Sequence, residues 1–165
     1  MARVLEPTKI SPEEHDAIVD VHRAWIEEKC PFDKVLGLTV KSLSYECACL
    51  AFNMKDHLIG NVDIQVLHGG AIATVLDTVG SAVLTYNILS KLKDPSIDER
   101  AKRLKGVPTA DLRIDYLNPG LGKSFTAMAW ILRTGSKVAV TRMELRNEDD
   151  LLIAVGTGTY LIKVR

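Results

Sequence analysis

Cysteine is scarce in this chain: of 165 residues only Cys30, Cys47 and Cys49 are cysteines. Cys47 and Cys49 lie two apart on a strand-like run, so their thiols face the same side. No second pair with zinc spacing follows, so no metal site is expected. The three read as small core or surface residues of a cytoplasmic protein. A surplus of either charge is also missing, since 21 basic residues balance 21 acidic ones. That argues against a nucleic-acid partner, which selects for a basic excess. No apolar run reads as long enough and free enough of charge to span a membrane. The first ten residues, MARVLEPTKI, lack the apolar core of a signal peptide. Repeats, low-complexity tracts and interdomain linkers are absent as well.

What remains suits one domain, 1–165, with a full core. Ser11-Pro12-Glu13-Glu14 is a helix start with a capping box. Ile18, Val21, His22 and Trp25 follow as one helical stripe, and Pro31 helps to stop it. A lone histidine on such a stripe is expected to be structural. Residues 1–34 thus form an N-terminal helical extension. The run 35–54 alternates as two strands broken near 42–44, and 56–67 reads as a loop containing Gly60-Asn61. A long helix is expected over 69–90. Residues 91–107 are polar and broken by Pro95. They form an insertion with a short helix in its middle, either a lid or basic contact for a phosphorylated ligand or a solvated connection. Strands are expected over 111–116, 124–132, 138–145 and 151–164. One antiparallel sheet wrapped around one buried helix fits this order, an α+β fold. Gly156 and Gly158 share a face of the last strand and would let a backbone approach that helix closely.

The long helix carries the chemistry. Its segment "QVLHGGAIATVLDTVGSAVL" spans 65–84. Ile72, Val75, Leu76, Val79, Ala82, Val83 and Leu84 cover most of its circumference, so it belongs in a core. Thr74, Asp77, Thr78, Ser81 and Thr85 share the remaining face at spacings of three and four. No lysine or arginine lies one turn from Asp77. A buried unpaired carboxylate is costly and drifts upward in pKa. Asp77 is therefore expected to find Thr74, Ser81, another element or a distant Arg113 or Arg142, or to serve a reaction. His68-Gly69-Gly70 opens the helix, where the first N–H groups lack intrahelical partners and carry the positive end of the dipole. Glycines remove the side chains that would cover those donors, so they could meet a developing oxyanion. The plainer reading is an ordinary glycine-rich helix start. Gly70 and Asp77 lie about 10 Å apart along the axis. One helix cannot easily offer both to a single carbonyl, but two antiparallel copies can, with two equivalent sites per dimer.

These residues resemble the hotdog-fold thioesterases, in the PaaI-like acyl-CoA thioesterase branch. The resemblance covers about 35–164. It runs through "LIGN" (58–61), "LHGGAIATVLDTVG" (67–80), "DLRIDYLNPG" (111–120), "RTGSKVAVTRMELRNED" (133–149) and "AVGTGTYL" (154–161). It implies a curved antiparallel sheet around the central helix, dimerised side by side and often tetrameric. It also implies roles. Asp77 acts as general base or nucleophile on a thioester, the Gly70 amide contributes to the oxyanion hole, and His68 polarises or places the thioester. Asn61, with Gln65 as the alternative, orients the water or the carbonyl, and Ser81 could hold the water. Gly69 and Thr78 flank these positions as substrate contacts. Coenzyme A is part of the substrate, with no separate cofactor. Arg133, Lys137 and Lys105 are candidates for its phosphates.

Two other functions fit the same pattern less well. A dehydratase or hydratase of acyl thioesters pairs its acid with a histidine in a different motif. A non-catalytic acyl-CoA sensor usually carries an attached DNA-binding domain, and the first thirty residues are too short for one.

Overall fold

A computed structural model describes residues 10–104 and 106–164. Helix α1 (Pro12–Arg23) begins where the sequence places it. Ser11 Oγ accepts the Glu14 amide, and the Glu14 carboxylate accepts the Ser11 amide, each at 3.2 Å. A π-helical turn, Ala24–Lys29, then widens the coil, closing with the Cys30 amide on the Trp25 carbonyl at 2.8 Å. One extra residue per turn rotates the packing face by one position. Ile26 is therefore buried, and Trp25, expected on the stripe, is 61% exposed. Pro31 starts a second helix rather than simply ending the first: α2 spans Pro31–Leu36 and stops at the left-handed Gly37.

His22 is structural, as its stripe implies. It is buried between α1 and the central helix, hydrogen-bonded through Nδ1 to the Ile18 carbonyl at 2.8 Å. Burial pushes its pKa down, against the opposing pull of that carbonyl. The folded state therefore holds His22 neutral while the unfolded chain protonates near the ordinary value of about 6.5. The sign follows: this residue contributes no pH dependence above that value, and stability falls as pH drops below it. The melting temperature should thus decline between pH 7.5 and pH 5, and His22→Leu should show a shallower decline. An unchanged slope in the variant would refute this.

Strands β1 (Thr39–Leu43) and β2 (Ala48–Asn53) form a hairpin. Ala48, Leu50 and Phe52 face the core, while Cys47 and Cys49 look outward and are half-buried. Burial pushes both thiols up in pKa, which disfavours the nucleophilic thiolate. The loop expected over 56–67 contains a small hairpin of β3 (Ile59–Asn61) and β4 (Val66–Leu67). Helix α3 spans Gly69–Leu89. By length and composition alone α3 could cross a membrane, contrary to the sequence reading, but the sheet wraps it and two-thirds of it is buried.

The insertion forms α4 (Ile97–Arg103), docked on α1. Arg100 is buried there and donates to Glu14 at 2.7 Å and to the Asp94 and Leu89 carbonyls. The segment is thus a packed brace rather than a solvated connection. Strands β5 (Thr109–Tyr116), β6 (Ser124–Thr134), β7 (Val138–Asn147) and β8 (Leu152–Leu161) follow. The main sheet is antiparallel, in the order β1-β2-β6-β7-β8-β5. Its inner face, with Leu50, Phe125, Ala127, Met143, Leu145 and Ile153, closes on Val75, Leu76, Val79 and Val83 of α3. That is the α+β architecture the pattern called for.

The two sheet edges differ. On β1 the pairing with β2 is bulged, and the Val40 amide is taken by the Glu27 carboxylate at 2.8 Å. Strand β5 is longer and largely exposed, and among the described residues it pairs only with β8.

Candidate active site

The start of α3 is held from several directions. His68 is its N-cap, with extended backbone, and its Nδ1 accepts the Gly70 amide at 2.8 Å. A backbone N–H can only donate, so in the neutral ring the proton sits on Nε2. The His68 amide donates to the Leu58 carbonyl at 2.8 Å, which fastens the cap to the β3–β4 hairpin. Tyr116 Oη donates to the Gly69 carbonyl at 3.0 Å. Gly60 lies directly behind the cap: a Cβ there would sit 2.8 Å from His68 Cα. The Gly70 amide, expected bare, is thus occupied by the histidine. Among the described residues the neighbouring Gly69 amide has no partner. His68 and Gly70 are both exposed, so this helix end is open to a ligand.

Two turns further on stands Asp77. It is only partly buried, because the polar face of α3 lies open in the single chain. The premise of a deeply buried carboxylate therefore does not hold in this chain. No cation pairs with it among the described residues. Arg113 pairs instead with Asp115 on its own strand. What Asp77 meets is Thr109, whose Oγ lies 2.8 and 3.1 Å from the two carboxylate oxygens and donates to them. On the main chain, Tyr160 Oη donates to the Asp77 carbonyl at 3.2 Å. The next residue, Thr78, donates to Asp33 of α2 at 3.1 Å, and Asp33 is buried. The open face of α3 is thus a groove floor, with β5 on one bank and α2 on the other.

The other expected residues fall in different places. Ser81 donates back to the Thr78 carbonyl and makes no bond to Asp77. Asn61 accepts the Asp63 amide at 2.9 Å, and Gln65, at φ +54°, donates to the Val62 carbonyl at 2.6 Å. Both shape the turn before the cap. Arg133 and Lys137 are exposed at the β6–β7 hairpin and join none of these groups. Lys105 lies outside the described residues.

Thr109, Tyr160 and Asp33 were not anticipated from the sequence. Thr109 is concealed by strand parity. Leu112 and Ile114 point inward, so regular alternation would turn Thr109 outward. The β5–β8 register shifts between Thr109 and Asp111, setting Thr109 opposite the inward-facing Tyr160. Such a bulge re-aims a side chain, here onto Asp77. The glycines of β8 also differ from expectation. A Cβ on Gly158 would strike the Tyr160 ring, and one on Gly156 would press Met143 Cε at 3.1 Å. They admit side chains rather than the helix backbone.

The thioesterase superfamily model matches residues 64–154, from the β3–β4 turn through α3 and into β8. The medium/long-chain acyl-CoA thioesterase YigI of Salmonella typhimurium is 45% identical over 132 residues, covering 80% of this chain and 85% of its own length. Its Escherichia coli counterpart is 43% identical over the same shares. A crystal structure from Shewanella oneidensis, described as related to the thioesterase superfamily, shares 40% identity with a TM-score of 0.83, covering 93% of this chain and 99% of that one. The Escherichia coli PaaI protein, at 20% identity and a TM-score of 0.70 over 90% of this chain and 94% of that one, shares the fold. Together with the helix opening and the carboxylate on its open face, these matches make the chain a hotdog-fold member of the thioesterase superfamily.

Proposed function

We propose that this enzyme hydrolyses acyl-CoA thioesters to the free acid and coenzyme A, with medium to long acyl chains as the substrate class. The observation that carries the reading is Asp77 on the open face of α3, uncompensated by any cation among the described residues and steered by the Thr109 hydroxyl. The YigI relatives, named as medium/long-chain acyl-CoA thioesterases, support the substrate.

The site is completed by a second copy. Strand β5 runs antiparallel to α3: its first residue, Thr109, touches Asp77, and its last, Tyr116, touches Gly69. Two β5 edges paired antiparallel about a two-fold axis bring the Tyr116 end of one chain to the Thr109 end of the other. The helix opening of one protomer then faces Asp77 of its partner. The Glu27-capped β1 edge offers no comparable pairing surface.

In each site water adds to the thioester carbon as Asp77 takes its proton. The carbonyl oxygen becomes an oxyanion at the opposing helix start. There the Gly69 amide is uncommitted, and the Gly70 amide exchanges His68 Nδ1 for the substrate oxygen. His68 Nε2–H is then a further donor. The C–S bond breaks, thiolate leaves, and the proton on Asp77 returns to it. Thiolate is a good leaving group, so neither metal nor resident cofactor enters the scheme; coenzyme A belongs to the substrate. Asn61 and Gln65 hold the turn that positions the cap, and Arg133 and Lys137 are assigned to the coenzyme A phosphates.

Thiol release from acyl-CoAs of two to sixteen carbons, with aryl-CoAs alongside, tests the reading. Turnover rising toward the longer chains is expected. Tight acyl-CoA binding without turnover would replace it with a sensor, and turnover restricted to aryl-CoA would overturn the substrate class.

A further inference from the structure

Asp77 is gripped from the core side by a residue that the proposed chemistry leaves unused. Tyr160 is completely buried, and its phenol spans from β8 to the carbonyl of Asp77 itself. A buried phenol needs an acceptor, but α3 offers many carbonyls. Reaching this one requires two missing side chains on two elements. A Cβ on Gly80 of α3 would run into the phenol oxygen and stand 2.9 Å from Thr141 Oγ. A Cβ on Gly158 of β8 would stand 2.7 Å from the same phenol ring.

Tyr160 is also the sheet partner of Thr109, the residue whose hydroxyl steers the Asp77 carboxylate. One cross-strand pair therefore holds a single aspartate at both ends, main chain and side chain. Burial, then the nearby Asp77 charge, pushes the phenol pKa far above its usual value. The group stays a donor across the working pH range.

We propose that Tyr160 is a positioning residue for hydrolysis: with Thr109 it fixes where the Asp77 carboxylate meets the attacking water. This rests on the reading of Asp77 as the base. A carboxylate out of place slows the chemical step more than substrate binding.

Tyr160→Phe keeps the ring in its slot and deletes only the hydroxyl. Hydrolysis of one acyl-CoA should be followed for Tyr160→Phe, Thr109→Val, the double variant and Asp77→Asn, each with its melting temperature. Tyr160→Phe is expected to lower kcat roughly fivefold, the scale of one net hydrogen bond, with KM within about twofold. The double variant should lose less than the product of the single losses, because both contacts act on one group. A lowered melting temperature with kcat unchanged would mean a purely structural contact and overturn the proposal. So would fully multiplicative losses. Full activity in Asp77→Asn would instead remove the base reading, and this proposal with it. An inactive Asp77→Asn beside an unaltered Tyr160→Phe removes only the positioning role.

Discussion

Asp77→Asn will fold and will not hydrolyse. Asparagine has the size of aspartate, and its Oδ1 still accepts from Thr109, so the bond at 2.8 Å has a successor. Tyr160 donates to the main-chain carbonyl of residue 77, which the substitution leaves in place. Among the described residues Asp77 forms no ion pair that the substitution would break. What disappears is the capacity to take a proton from water. General-base assistance contributes about 10²–10⁴-fold, and a loss of that order in kcat is the expected result, with the melting temperature within a few degrees of wild type. Thiol-release kinetics and a thermal scan on the same preparation check both halves. Activity at the wild-type level would end the role of Asp77 while leaving fold and family as they stand.

Gly60→Ala should be nearly as damaging, although residue 60 does no chemistry. The added Cβ would fall 2.8 Å from His68 Cα and about as close to its ring, at 3.1 Å from Cδ2. A backbone atom cannot swing aside as a side-chain tip can. Strand β3 must therefore move off the cap, loosening the His68 amide from the Leu58 carbonyl. Overpacking of this kind costs about 1–3 kcal/mol. A misplacement near 1 Å at a reacting centre costs about 10²-fold in rate. The expected result is a stable but lower-melting protein with kcat/KM down by that order. Unchanged kinetics would show that the position of the helix opening is immaterial to the reaction.

Local chemistry made much of the molecule legible in its sequence. The capping box at Ser11 and Glu14, the His-Gly-Gly opening of α3 and the alternation of β5 to β8 are short-range patterns, and all appear at or within a few residues of where they were expected. The misses share a cause, a local irregularity or a distant contact. A π turn moved Trp25 out and Ile26 in. A bulge turned Thr109 onto Asp77 against parity. Tyr160 reaches Asp77 across 83 positions of sequence, and Asp33 reaches Thr78 across 45, so neither leaves a periodic trace. Gly80 and Gly158 explain themselves only when the phenol between them is in view.

The shared site is the centre of this account, and one mixing experiment addresses it. Asp77→Asn lacks the base but keeps the helix opening; Gly60→Ala keeps the base but has a displaced opening. Each alone should be nearly inactive. After subunit exchange, half of the dimers are mixed, and each carries one site in which both parts are intact. Thiol release should recover to about a quarter of the wild-type rate if each site draws on two chains. If the mixed dimers form and the preparation stays inactive, each site is built within one chain, and the proposed arrangement across the β5 edge is wrong.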